Sequence, residues 1–285
     1  AIYAYMTEQD VGRLFIAGIV PGMLAVLMYM ITVRFAYARS LPDGSRFVAS
    51  EAWESLRGVW AVVLLFVAII GSMYLGLVTA TEAAAAGSVL TALIGIVRGR
   101  LNATKILDSL IEALRTSVAI YTVLVGAILF GYFLAITQSP QKITAFLVGL
   151  DLGPYGSLAV ILGLFLVMGC ILDAMAMIIL LVPIVYPVVM QLGFDPIWFG
   201  VIIVMTVELG LITPPVGMNV FVINSISRDL SLVTIFRGVI PFVLTDIIRL
   251  IILVAFPGIV LFLPMTMKCL FFNDTATTEI YTLSL

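Results

Sequence analysis

The sequence predicts an all-α polytopic membrane protein in which one crossing is broken at its centre. Three observations carry that prediction. The 285 residues are 63% apolar and 11% charged, against about 25% charged in an ordinary soluble domain, and the mean hydropathy is +1.25. Several apolar runs reach the ~18 residues that mark a transmembrane helix, whereas a transmembrane barrel would show alternating segments of about ten residues. The run from Pro196 to Ile226 is long enough to cross a bilayer, yet it holds Pro214 and Pro215 side by side near its centre.

The same composition excludes other classes. A net charge of −2 does not suggest nucleic acid. Cys170 and Cys269 give neither a disulfide framework nor metal-ligand spacing. The chain has no histidine, which removes the commonest general base and metal ligand and argues against an enzyme. No organic cofactor is expected. The opening AIYAYMTEQD lacks a basic n-region and a cleavage site, so it reads as the interior of a longer protein rather than a signal peptide.

In chain order, a first span covers Val11 to Val33, kinked at Pro21-Gly22. A polar loop with Arg34, Arg39, Arg46 and Arg57 leads to a second span, Gly58 to Val78. The polar interruption Thr79-Ala-Thr-Glu82 opens a third span that ends at Val97 and begins with small residues, Ala83 to Gly87. Ala103 to Arg115 forms an amphipathic helix with Ile106, Leu110 and Leu114 on one face, and a fourth span follows from Thr116 to Thr137. After a short amphipathic piece, Gln141 to Leu150, come two apolar helices, Tyr155 to Cys170 and Ala174 to Met190. Each is roughly 24–26 Å long, slightly short of a ~30 Å hydrocarbon core. Their turn carries Asp173, so they read either as a re-entrant hairpin or as two ordinary spans. Pro183 and Pro187 favour a buried element. The broken span 196–226 is followed by a polar loop and a last span, Val239 to Leu263, on which Asp246 and Arg249 are expected to pair or to snorkel.

Orientation follows from the basic residues. With the loop after the first span cytoplasmic, the segments 34–57, 98–115 and 227–238 hold four, four and two of the 14 Lys and Arg residues, a clear positive-inside bias. The start of the chain and the open end of the 155–190 pair then lie outside.

The broken stretch, TVELGLITPPVGMNVFVINS from Thr206 to Ser225, is the candidate site. The two prolines remove two backbone donors, and Pro215 drives Pro214 out of the α region. Gly210 and Gly217 lower the cost of non-helical angles. Such backbone persists at membrane depth only if buried in protein or facing a wet cavity, and a discontinuous helix offers loose carbonyls and free amides to a cation and an anion. A proline kink in an ordinary span is the plainer reading. The backbone carbonyls of Gly210, Thr213 and Gly217 are the expected Na⁺ ligands, assisted by the side chains of Thr213 and Asn219. Asp173 and Glu208 are acids within apolar segments and so candidates by default, although Asp173 could equally cap the helix after it and Glu208 could tie the break to a neighbour. Glu82 is a weaker candidate for packing against the core.

Four stretches together carry a family resemblance. Glu208 to Gly217, ELGLITPPVG, looks like the large membrane subunit of tripartite ATP-independent periplasmic (TRAP) transporters. Val78 to Gly87 resembles that family's TPTEAAA segment, with Ala80 in place of the proline. Gly169 to Pro187 resembles its GMFLDPIA hairpin, with Ala174 and Met175 departing from Pro-Ile. Leu14 to Gly22, LFIAGIVPG, resembles its LFLAGILPG run.

The resemblance covers about residues 1–265. It implies an elevator-type secondary transporter of two inverted repeats. Residues 1–138 would be linking spans and a cytoplasmic arm, and 139–272 the second transport-core repeat, built from the hairpin 155–190, the broken helix 196–226 and the last span 239–263. The first repeat would lie upstream. The tip around Gly169 and Asp173 and the break around Thr213, Pro214, Pro215 and Asn219 would form half of the sodium and substrate region. A small membrane subunit, a periplasmic substrate-binding protein and the lipid bilayer are the implied partners. The implied function is sodium-coupled import of a small organic anion, such as a C4-dicarboxylate or sugar acid, across the bacterial inner membrane. A divalent-anion symporter without a binding protein and a scaffold subunit without transport are the alternatives. Asn273 to Leu285, NDTATTEIYTLSL, resembles a translated sequencing adapter and is expected to be a non-native tail.

Overall fold

A computed structural model describes residues 2–36, 49–138, 141–143, 145, 149, 152–214, 217–226 and 231–267, with side chains except at 49–59, 127, 135, 218 and 225. Half of the short amphipathic piece 141–150, residues 37–48 of the 34–57 loop and the whole 273–285 tail therefore fall outside the described residues. The regular elements among those residues are all α-helices: α1 (Ile2–Met6), α2 (Val11–Ala17), α3 (Ile19–Ala36), α4 (Ala49–Tyr74), α5 (Ala80–Val97), α6 (Ala103–Ile136), α7 (Gly153–Gly169), α8 (Ala174–Gln191), α9 (Pro196–Ile212), α10 (Met218–Ile226), α11 (Leu232–Ala255) and α12 (Gly258–Thr266). Five stretches are long and apolar enough to cross a membrane: Val11–Ala36, Ala80–Val97, Ala103–Leu134, Ala174–Gln191 and Leu232–Ala255. The chain is a multi-pass membrane protein.

Its helices fall into two compact units, one of residues 1–40 and 116–263, the other of 41–115 and 264–285. In the first, the core comes from α7, α8 and α9. Leu158, Ile161 and Phe165 meet Met177, Val182, Val185 and Val189, and both sets meet Trp198, Phe199, Ile202, Ile203 and Val207. α9 is apolar on most sides because its neighbours bury most of it, leaving Val204 and Glu208 exposed. Asp195 starts it, its Oδ1 accepting from Ile197 N at 2.8 Å and Trp198 N at 2.9 Å, and Pro196 occupies the first turn, where no amide is needed. Trp198 Nε1 donates to Leu253 O at 3.0 Å, which fastens α9 to α11. Tyr3 OH donates to Pro196 O at 2.7 Å, and a Cβ on Gly200 would stand 2.5 Å from Tyr3 Cε1, so glycine there lets α1 lie against α9.

Three boundaries differ from the sequence reading, each for a local reason. The first span breaks at Gly18 rather than at Pro21-Gly22. Pro21 has no amide to give Ala17 O, so the ladder fails one turn earlier. The arm helix and fourth span form one helix, α6, of 34 residues, about 51 Å long, because no proline or strong C-cap separates them. The last span begins at Leu232, where Ser231 caps it through Thr234 N at 3.3 Å, and Phe256-Pro257 divides it from α12.

The second unit is organised by α4 against α5. Thr79 and Glu82 close a capping box, with Thr79 N donating to Glu82 Oε2 at 2.8 Å and Glu82 N to Thr79 Oγ1 at 3.3 Å. The Glu82 carboxylate thus caps α5. Ala83 is buried, and a Cβ on Gly87 would lie 2.7 Å from Ile69 Cδ1. The small residues four apart let the two backbones approach, as membrane helix pairs require.

Candidate functional site

The broken span is broken in the structure, and its break touches the tip of the hairpin. α9 ends at Ile212 and α10 begins at Met218. Thr213 turns extended, with φ −86° and ψ 138°. Its amide donates to Gly210 O at 3.2 Å, and its Oγ1 donates to Leu209 O at 2.5 Å. Pro215 lies outside the described residues. The chain re-enters helix through Gly217, at φ +54°, whose carbonyl accepts from Val220 N at 2.8 Å and Phe221 N at 3.3 Å. A Cβ there would lie 3.2 Å from Phe236 Cε1 and 3.3 Å from Thr213 O. Glycine is required twice over, for the left-handed angle and for the space.

Gly169, at the end of α7, meets Gly210 backbone to backbone. A Cβ on Gly210 would fall 2.8 Å from Gly169 Cα and 3.1 Å from Gly169 C, and one on Gly169 would fall 3.0 Å from Gly210 Cα. Beside them Cys170 Sγ lies 3.6 Å from Pro214 O and 3.3 Å from Leu166 O. These contacts place Gly210 and Pro214 of the break against Gly169 and Cys170 of the hairpin. Asp173 opens α8 from the same tip. Its Oδ1 accepts from Ala176 N at 2.5 Å, so the carboxylate caps that helix while remaining exposed. Gly210 O accepts the Thr213 amide and keeps a second lone pair that a cation could use, whereas Gly217 O is shared between two amides.

Glu208 and Asn219 lie on another face. They line a cleft of about 640 Å³ together with Tyr29, Asp246 and Arg249. The cleft wall is α2, α3, α9, α10 and α11. Arg249 Nη2 pairs with Asp246 Oδ1 at 2.9 Å, both residues only about 5% exposed. Tyr29 OH lies 2.7 Å from each Asp246 oxygen, the Arg249 guanidinium lies 5.6 Å over the Tyr29 ring, and Thr32 and Thr245 share a hydroxyl contact at 2.6 Å. The pair expected from sequence is present, and it is buried rather than snorkelled because α3 supplies its third member. Tyr29 is a cleft residue that the sequence reading misses. One signal marks it: Gly18-Ile-Val-Pro21 and Gly238-Val-Ile-Pro241 share a pattern, and Tyr29 and Arg249 each stand eight residues past the proline.

The match to known proteins runs through both faces. The family described as "Tripartite ATP-independent periplasmic transporter, DctM component" matches residues 1–259. The chain belongs to that family. Among relatives of this DctM-family chain, the C4-dicarboxylate TRAP transporter large permease protein DctM of Pseudomonas aeruginosa is 36% identical over 265 residues, covering 92% of this chain and 62% of the relative. The sialic acid TRAP transporter large permease protein SiaM of Vibrio cholerae is 31% identical over 268 residues, with 92% and 62% covered. The isethionate TRAP transporter permease protein DctMQ of Oleidesulfovibrio alaskensis is 30% identical over 271 residues, with 92% and 41% covered. The chain thus spans 62% or less of the length of these relatives. All three are named as permeases, and the family is not one of enzymes.

In this DctM-family chain the Asp173 cap can be separated from the charge that carries it. Asp173→Ala should cost about 0.5–2 kcal/mol through the lost cap. Asp173→Ser keeps a cap and removes the charge, so its unfolding temperature should stay near that of the unaltered protein. Any change in transport that Asp173→Ser shows at unaltered stability belongs to the charge and not to the cap.

Proposed function

We propose that this DctM-family chain is part of the permease of a sodium-coupled secondary transporter that imports a small organic anion. The observation that carries the reading is the α9–α10 break with its Gly169–Gly210 contact to the hairpin. Peptide groups freed from a helix inside an apolar segment cost several kcal/mol each unless a partner meets them. A coupling cation at the carbonyls of Gly210 and Thr213, with Gly217 O already serving two amides, and an anionic substrate near the amide end of α10 would supply those partners. Thr213 would assist from its side chain, whereas Asn219 faces the neighbouring cleft with Glu208. The residues present fit sodium, a cation served by neutral oxygens.

The relatives' names speak to substrate class. C4-dicarboxylates, sialic acid and isethionate are all small organic anions, so a carboxylate or a close analogue is the expected cargo. A periplasmic binding protein would deliver it, a small membrane subunit would complete the permease, and the bacterial inner membrane would hold the assembly. An elevator movement of the hairpin and break, on an inverted-repeat architecture, would carry the cargo across.

The test is uptake of a labelled organic acid into proteoliposomes that hold the whole permease with its small subunit and loaded binding protein. Uptake should fall to the leak rate when the sodium gradient is removed, and uptake unchanged without it refutes the coupling. Thr213→Ala and Pro214→Ala should abolish uptake while the complex still assembles. A scaffold without transport of its own would show no uptake to lose.

A further inference from the structure

We propose that the turn between α5 and α6 binds the phosphate headgroup of an anionic phospholipid. The turn lies within the second unit, and the proposal stands whatever solute the permease carries.

The turn is a built structure. At the end of α5, Arg98 N donates to Ile94 O at 3.0 Å and Gly99 N to Ile96 O at 2.8 Å, while Arg100 N and Leu101 N both return to Gly95 O at 2.9 and 3.1 Å. Gly99 takes φ +66°, the left-handed conformation that closes a helix. Leu101 folds back so closely that a Cβ on Gly95 would lie 2.2 Å from its Cδ1. Asn102 then starts α6, its Oδ1 accepting from Lys105 N at 2.9 Å, and Lys105 Nζ donates to Arg100 O at 3.1 Å. The backbone is fixed on both sides of the turn, so its charges are held close together.

Those charges are all of one sign. Arg98, Arg100 and Lys105 are exposed, and no acid occurs between Arg98 and Asp108. The first-turn amides of α6 add the positive end of a 34-residue helix. The Arg98 guanidinium lies 5.7 Å over the ring of Trp60, which is itself 52% exposed. Tryptophan on a membrane helix marks the headgroup level. A guanidinium stacked by its face keeps its edge N–H donors for a second acceptor.

The flanks choose between a free phosphate and a lipid. Leu93, Ile96 and Val97 on α5 and Leu107 and Leu110 on α6 are exposed beside the cations. A soluble phosphate gains nothing from that surface, whereas a phospholipid covers it with its acyl chains. The positive-inside count puts the turn on the cytoplasmic side, where anionic lipids give the leaflet its negative potential.

Brominated lipids test this directly, since bromine quenches tryptophan only at close range. The purified protein is placed in phosphatidylcholine nanodiscs carrying a fixed minor fraction of brominated phosphatidylglycerol or brominated phosphatidylcholine. Trp60→Phe, a change at an exposed ring, identifies the share of the signal that belongs to Trp60. Each basic residue near an anionic surface contributes roughly fivefold to the local preference. The Trp60 share should therefore be quenched several-fold more by phosphatidylglycerol, and equally by the two lipids in R98Q/R100Q/K105Q. High salt on the unaltered protein is the second arm, and at about 1 M, where the screening length is ~3 Å, the preference should shrink toward parity. Equal quenching by the two lipids in the unaltered protein overturns the proposal, as does a phosphatidylglycerol preference that survives either the triple substitution or high salt.

Discussion

Gly210→Val is expected to pull the hairpin away from the broken helix and to abolish uptake. The position has no room for any Cβ, because the atoms in the way are the Cα and carbonyl carbon of Gly169 at 2.8 and 3.1 Å. A side chain could rotate aside, but a backbone cannot, so α7 or α9 must move as a whole. Alanine alone should cost about 1–3 kcal/mol, the usual penalty for overpacking, and valine more. Gly169→Val should act alike, since its own Cβ would meet Gly210 Cα at 3.0 Å. Gly163 is the internal control. It lies on the same α7, and a Cβ added there would meet nothing within 4 Å, so Gly163→Ala should be neutral or stabilise by up to about 1 kcal/mol. Thermal unfolding followed by far-ultraviolet circular dichroism checks the series, with uptake measured in parallel. If Gly210→Val unfolds no earlier than Gly163→Ala, the two backbones are not in contact.

Asp246→Leu should destabilise the first unit more than any single polar change outside the break. It leaves the Arg249 cation buried at 4% exposure with no carboxylate, and breaking a buried pair from one side costs about 3–5 kcal/mol. Arg249→Met should cost a similar amount for the opposite reason. The double variant D246L/R249M removes both charges and should cost clearly less than either single change, since a buried pair gives little net stability over apolar residues of like volume. Tyr29→Phe deletes only a hydroxyl, but one that serves a carboxylate, so about 1–3 kcal/mol is expected. The Arg249 Nε–H is buried without an acceptor, which lowers the worth of the pair further. Its role is then register: it fixes which turn of α3 meets which turn of α11. Unfolding temperatures of the unaltered protein, Asp246→Leu, Arg249→Met and D246L/R249M form the double-mutant cycle that decides this, and strictly additive costs would show that Asp246 and Arg249 do not interact.

Much of the fold was legible because each signal was local. Hydropathy marks the spans, since apolar residues have no other stable place beside lipid. The Asp173 cap and the Gly217 turn follow from residue type and spacing within a few positions; the Thr79–Glu82 box is as local, but the sequence reading takes Glu82 for a packing residue, and the structure has it exposed as a cap. The break also belongs to this class: two adjacent prolines cannot continue a helix in any environment. The difference between a kink at Pro21 and a break at Gly18 was local too, but it turns on which carbonyl loses its donor.

The sequence by itself determined a helical membrane protein with one crossing interrupted at Thr213–Gly217, and it supplied the glycines, threonine and amide that such an interruption needs. Only the tertiary structure decided how those residues divide: Gly169 and Gly210 back to back against the hairpin tip, Glu208 and Asn219 turned into a cleft with Tyr29, Asp246 and Arg249. The reason is separation along the chain. Gly169 and Gly210 are 41 residues apart, and Tyr29 and Asp246 are 217 apart, so no local periodicity connects them. Close packing of α7 on α9 and of α3 on α11 brings them together, and packing is a property of the folded chain.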